Sequence, residues 1–319
     1  MRFEDFRAGM SDAVQNGLRV AAFFVVPGPG DPCLCSVLAD GATGELQWWV
    51  TWAEETYPAL TPNCPQFHWF EREVAEQWGI RPEGHPWLKP IRFQAPYRSG
   101  EPNDRPLPSV TDFFSVEGEE IHEVAVGPVH AGVIEPGHFR FQCHGEEVLH
   151  LEISLGYQHR GIERALLCGP DKRTIHLIET LAGDTTIGHA TAYSQVIEAL
   201  SGVHPSPAAE AWRSVALELE RLANHAGDLG ALANDVGYLP TASYCGRIRG
   251  DFLNQTALLC GNRFGRGIVR PGGLGVDVAA DLIPELRKRL DLAFVDLQNA
   301  VELLWRTPSV RARFENAGR

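Results

Sequence analysis

Two stretches, GYQHRGIER at residues 156–164 and AGDTTIGHATAY at residues 182–193, decide how this chain is read. In the first, His159 and Arg160 stand four and three residues before Glu163, the spacing that places side chains on one helix face. In the second, Ala182, Thr185, His189 and Tyr193 share a face by the same arithmetic. Spacing does not say whether the two segments meet, but if they do, His159, Glu163, Asp184 and Tyr193 stand around one pocket. A buried polar group left unpaired costs about 1–3 kcal/mol. The pattern therefore predicts either a closed network of pairs or a polar pocket that meets water and a ligand.

The rest of the sequence limits what such a pocket can serve. The chain has 319 residues, 44% of them apolar, and a formal charge of −13. That length allows two domains with packed cores. Phosphate recognition needs a concentrated basic surface, so the acidity excludes nucleic acid as a partner class. No apolar run approaches the roughly 20 residues that span a bilayer, and no signal-peptide core is present. The expected location is cytoplasmic, with any membrane association made through partners. Cysteines at 33, 35, 64, 143, 168, 245 and 260 are scattered and include no Cys-x-x-Cys. A secreted disulfide framework and a structural zinc site are both disfavoured. Cys33-Leu34-Cys35 reads as a strand-edge pair.

In the first third, residues 19–25 and 34–52 are rich in β-branched and aromatic side chains and are broken by Asp40-Gly41-Ala42-Thr43-Gly44. Strands joined by a turn follow. Trp69, Phe70, Val74 and Trp78 give residues 66–79 a helical period, and Gly79 stops it. The expectation is a small α+β domain over 1–95. Residues 96–120, rich in Pro, Gly and acids, read as a linker. From 121 onward, 124–141 reads as a β-hairpin and 146–154 as a further strand. A long amphipathic helix covers 209–236, with Glu220, Arg221, Asn224 and Asp228 as its polar stripe. Another fills 281–304, with Leu282, Leu286, Leu290, Phe294, Leu297 and Val301 inward. The fold class is α+β, the second domain (121–319) being a mainly helical bundle with one small antiparallel sheet. Arg270-Pro271-Gly272-Gly273-Leu274-Gly275 lacks the Lys and Ser/Thr of a P-loop and reads as a tight structural turn.

Three short elements in order, Phe70-Glu71-Arg72-Glu73, Gly79-Ile80-Arg81 and Glu83-Gly84-His85-Pro86, resemble the signature of the 30 kDa subunit of respiratory complex I. Alone, Glu71, Arg72 and Glu73 would be a solvated helix face. The resemblance implies a docking surface for a 49 kDa-type domain and its neighbours, with no catalytic role. The stretches at 124–141, 156–193, 218–237 and 262–274 resemble the large subunit of membrane-bound NiFe hydrogenases and the related 49 kDa subunit of complex I. The later segments fit the hydrogenase-like branch better. Fusion of the two subunit types is typical of formate-hydrogenlyase-type hydrogenases. Family members continue well past the position of Arg319, so the resemblance implies a natively short chain or a fragment.

Where such a hydrogenase carries Cys-x-x-Cys, this chain has Ala182-Gly183-Asp184-Thr185. Nickel and iron are held there by soft sulfur, and neither a methyl group nor a protonated hydroxyl replaces it. No NiFe centre and no other metal is expected. By the resemblance, Glu163 relays protons near the active centre, with Arg160 beside it. The competing reading is an ion pair between the two that locks a helix. Also by resemblance, His159 and Tyr193 take the places that donate to a quinone headgroup, and both can do so chemically. Asp184 and His189 complete the cofactor-facing set. Three functions stand open. One is an oxidoreductase-complex subunit without its own NiFe centre, between an iron–sulfur small subunit and antiporter-like membrane subunits, on the inner face of the cell membrane. The second is a quinone-reducing subunit of an NADH:quinone oxidoreductase, fed by iron–sulfur clusters in its partners. The third is a scaffold with a vestigial hydrogenase cavity.

Overall fold

A computed structural model describes residues 1–28, 31–98, 111–129, 136–167 and 169–316. The chain divides into two compact units, residues 1–159 and 160–319.

The first unit starts with helix α1 (Phe3–Gln15), which the sequence reading leaves out although Phe3, Phe6 and Met10 carry helical spacing. Strands β1 (Arg19–Val26), β2 (Cys33–Ala39) and β3 (Leu46–Trp52) form an antiparallel sheet with β2 central. Phe23, Leu34 and Leu38 on its inner face meet Phe6, Met10 and Phe67 in one core. α1 crosses this face closely: a Cβ on Gly9 would lie 2.5 Å from the Trp49 ring. Strand β4 (Thr56–Pro58), helix α2 (His68–Trp78) and strand β5 (Arg81–Glu83) follow, and β4 pairs with β5 in parallel. Gly79 ends α2 at a φ of 68°, where a side chain would be strained.

The signature residues of α2 turn inward, which corrects the solvated-face reading. Glu71 is fully buried and accepts the Leu60 and Thr61 amides at 2.7 and 2.9 Å. Arg72, also buried, donates to the Lys89 and Pro90 carbonyls at 2.8 and 3.1 Å. One turn on, Glu76 accepts the Ile91 and Arg92 amides, both at 2.8 Å. These side chains satisfy loop backbone that would otherwise be buried unpaired. Glu71 and Arg72 are consequently not available as a docking surface.

Strands β6 (Ile121–Val126), β7 (His138–His144) and β8 (Glu147–Ser154) form the second antiparallel sheet, in line with the hairpin reading. Residues 99–110 of the expected linker, and 130–135 of the hairpin, lie outside the described residues. The sheet packs with the first unit. Lys89 pairs with Glu152 at 2.5 Å, the Phe114 amide donates to Glu152 at 2.8 Å, and His150 stacks on Trp87 and meets Phe114 at a tilt. By packing, then, the division falls near 159, later than the 96–120 segment that separates the two expected domains.

The second unit is helical. The short helices α3 (Ile162–Ala165) and α4 (Thr174–Ile178) precede α5 (Thr186–Ser201), α6 (Pro207–Asp235) and α7 (Leu239–Cys260). Ser206 caps α6 by accepting the Ala209 amide, with Pro207 at the first helical position. Ala216, Ala223, Ala226, Gly230 and Ala233 form a buried small-residue seam along α6. At Gly230 a Cβ would come within 3.0 Å of Cys245 on α7, so the seam sets how closely the two helices approach. A hairpin of β9 (Val269–Arg270) and β10 (Gly273–Leu274) leads to α8 (Ile283–Trp305) and α9 (Pro308–Asn316). Most of the expected face of α8 points inward, with Leu286 buried and Leu282, Leu290 and Leu297 packed against the core, but Phe294 does not. Leu286, Ala293, Ala300 and Leu304 are buried, whereas Phe294 is 55% exposed. A reading of large side chains alone misses the alanines that let α8 pack. Among the described residues, no helix is long and apolar enough to cross a membrane.

Candidate functional site

The loop at 182–185 leads into α5, and the first amides of that helix need acceptors. Thr185, at the N-cap, makes no side-chain capping bond. The acceptor comes instead from α6: Glu220 takes the Ile187 amide at 2.7 Å and the Gly188 amide at 3.1 Å. Glu220 is buried, which corrects its assignment to a polar stripe. Its carboxyl is raised above the ordinary range by burial. The Asp184 charge adds to the rise, and the hydrogen bonds from Ile187 and Gly188 oppose it. Spacing alone hides this role, because Glu220 lies 32 and 33 residues from its donors.

Asp184 is held on both sides. Its carbonyl accepts the Asn224 amide at 2.8 Å, and its carboxylate meets Arg249 at 3.1 Å. Both partners of that ion pair are solvent-exposed, so it holds geometry more than it stabilises. Asp184, Glu220, Asn224, Arg249 and Arg263 line the polar side of a small cleft, closed by Ile187, Leu253 and Phe264. Its interior space is about 10 Å³, near what one water occupies.

The other expected residues distribute unevenly. Arg160 donates to the Leu181 carbonyl at 2.8 Å and also to that of Thr180, so it braces the chain entering the 182–185 loop. Glu163 lies on the one-turn helix α3, exposed, and His159 precedes that helix in the first unit, bonded to Gln94. His159 and Arg160 therefore do not share a helix face with Glu163. His189 and Tyr193 are half-buried on α5, with Tyr193 against the core that holds Ile187 and Ala190. Ala182 and Thr185 precede α5, so the expected four-residue face reduces to His189 and Tyr193. Of the six expected site residues, only Asp184 lines the cleft.

The donors at this loop do not fit a nickel–iron group. Ala182 has no donor, Thr185 offers a hydroxyl, and Asp184 is engaged by Arg249. Soft thiolates are what such a centre requires. Among the described residues, no group of three or more His, Cys, Asp or Glu side chains is arranged to hold a metal ion.

Two further buried acids fix the glycine-rich turn. Glu179 accepts the Gly267 amide at 2.7 Å and Arg270 at 2.8 Å. Glu198 pairs with Arg213 at 2.6 and 3.2 Å and accepts the Gly272 amide at 2.7 Å. Arg213 also donates to the Gly273 and Arg270 carbonyls, at 2.9 and 2.6 Å. With its backbone engaged this way, the turn is structural, as its sequence indicated.

A segment of each unit matches a known family. Residues 42–109 match the family described as respiratory-chain NADH dehydrogenase, 30 Kd subunit, and residues 235–319 match the 49 Kd subunit family. One chain thus carries segments that match both subunit families. It is 29% identical over 283 residues to formate hydrogenlyase subunit 5 of Escherichia coli (strain K12), covering 82% of this chain and 49% of that protein. It is 28% identical to hydrogenase-4 component G of the same organism, over 82% and 50%. With NADH-quinone oxidoreductase subunit 4 of Thermus thermophilus it shares 31% identity over 173 residues, 54% of this chain and 42% of that protein. The chain spans about half the length of the curated relatives it matches.

Proposed function

We propose that this chain is a peripheral subunit of a membrane-associated, complex I-related oxidoreductase complex and holds no NiFe centre of its own. One observation carries the reading: the two family segments occur together with a 182–185 loop built from methyl, carboxylate and hydroxyl groups instead of thiolates. In this reading electrons pass through iron–sulfur clusters of a hydrogenase- or complex I-type small subunit. Antiporter-like membrane subunits anchor the assembly on the inner face of the cell membrane. Residues 1–95 act as the 30 kDa-type domain, 96–120 as the linker and 121–319 as the 49 kDa-type domain.

Within that role, Glu163 relays protons with Arg160 beside it holding the 180–181 backbone, while His159, Tyr193, Asp184 and His189 face a quinone or its proton path. A cleft with room for one water suits proton passage and not a quinone ring. The quinone assignment therefore depends on His159 and Tyr193. The mutual pairing of Asp184 with Arg249, and of Glu220 with backbone amides, favours a second reading in which the cavity is vestigial and the chain is a scaffold.

Two measurements on the purified complex test this. Elemental analysis after expression with nickel-maturation proteins should find no stoichiometric nickel; one nickel per chain overturns the reading. Tyr193→Phe and His159→Ala should lower quinone-linked turnover with assembly intact. Unchanged turnover in both leaves the scaffold.

A further inference from the structure

The outer face of the β1–β3 sheet has the composition of an interior. Strand register sets Phe24 beside Cys35, and Val26 beside Cys33 and Trp52. Trp48 closes over Phe24 edge-on, ring centroids 5.8 Å apart. Yet Trp48 is 59% and Trp52 63% exposed, and Leu46 stands open beside them. Five large apolar side chains, Phe24, Val26, Leu46, Trp48 and Trp52, thus stand open on one face, and contiguous open apolar surface of this kind marks interaction sites. Exposed tryptophans are also the side chains on which binding energy concentrates.

We infer that this face docks a sister polypeptide whose contact region is apolar at its centre and basic at both ends. The inference rests on the proposed subunit role. Charge at the sheet ends selects the occupant. Asp40 and Glu45 lie at one end beside Arg19, and Glu54 and Glu55 at the other beside Arg81, so each end is net acidic. A second copy of the chain stacked face to face would set acid against acid at both ends, whichever way its strands ran. The anionic lipid of a cytoplasmic leaflet would meet the same repulsion. The β3 edge is partly taken by Met1, whose amine donates to the Val50 carbonyl at 3.2 Å while its carbonyl accepts from Thr51 at 3.1 Å. That edge is thus partly occupied near Val50 and Thr51, while the face stays open to a partner.

The test uses the intact complex, purified through a tag on this chain, with p-benzoylphenylalanine placed at position 48 or 52 and, as control, at the exposed position of Trp305. Photolysis should join positions 48 and 52 to one other subunit, within an apolar segment bounded by Lys or Arg. In parallel, a Trp48→Asp/Trp52→Asp chain should reduce recovery of that subunit at least tenfold, with the midpoint of thermal unfolding of the isolated chain unchanged. A Trp48→Ser variant gives the same reading should the double variant prove unstable. Cross-links only to lipid or to a second copy, or full recovery of every subunit, overturn the inference while leaving the subunit role intact. Absence of any co-purifying polypeptide overturns both.

Discussion

The two ends of α5 are both met by acid chemistry with α6, and they differ in sign. Near the C-terminal end, Glu198 on α5 is paired with Arg213 on α6, and that hydrogen bond holds its carboxyl below the ordinary range. At the N-terminal end, Glu220 on α6 has backbone amides for partners and the Asp184 carboxylate nearby, and burial pushes it up. A guanidinium returns a full opposite charge to the desolvated carboxylate; amides return only partial charge. The first end is a permanent anchor for the glycine-rich turn. The second holds its proton more tightly than an ordinary glutamate and lies beside the 182–185 loop.

The comparison breaks most visibly at Arg213. Arg213→Ala leaves the Glu198 charge buried and unpaired and strips donors from the Arg270 and Gly273 carbonyls. A loss of about 3–5 kcal/mol is expected for such a broken pair. Denaturant midpoints at neutral pH measure it. A Glu198→Leu/Arg213→Met double variant should recover part of the loss. A single variant with wild-type stability would mean the pair anchors nothing.

At the other end, Glu220→Gln keeps shape but presents an NH₂ group to one of the two helix amides, costing about 1–3 kcal/mol if that amide goes unpaired. The more informative readout is pH dependence. Because the folded chain raises this carboxyl, it binds the proton more tightly than the unfolded chain does. Stability from Glu220 is therefore full below the ordinary glutamate range and declines as pH rises toward the raised value. Glu198 does the opposite: its contribution is present above the ordinary range and is lost as pH falls through the lowered value. Unfolding midpoints across the acid range should lose the first slope in Glu220→Gln and the second in Glu198→Gln. Parallel profiles in both variants would erase the contrast.

Why one kind of feature is legible in sequence and another is not follows from the range of each signal. The strands of the first unit, α2 with its Gly79 stop, the β6–β8 sheet and α6 are encoded in local period and turn residues, and the structure forms each of them. The turn at 270–275 is legible for the same reason. Glu71, Glu198 and Glu220 are not, because a glutamate on a helix reads as a solvated face unless its distant backbone donors are known. Alanine packing on α8, and α7 with its Ile248 and Phe252 interspersed among Arg and Asp, also fall below what a large-residue period detects. Of the expected site, Asp184 reaches the cleft through its loop, not through a helix face. His159 falls in the other unit, because the chain turns at 160–161 before α3 begins.

The smallest expected effect sharpens the comparison most. Asp184 is exposed and pairs with a half-exposed Arg249, so Asp184→Asn should change neutral-pH stability by no more than about 1 kcal/mol. The Asp184 charge is nevertheless one of the causes raising the Glu220 carboxyl. Removing it should move the Glu220 titration down, toward the ordinary range, while burial keeps it from returning fully. Glu198, at the far end of α5, should not respond. Carboxyl carbon shifts in ¹³C-labelled protein report both groups in one titration. Movement of Glu220 alone assigns its shift to local burial plus Asp184. An equal movement of Glu198 would point instead to a change in α5 as a whole, and the two ends could no longer be treated as independent.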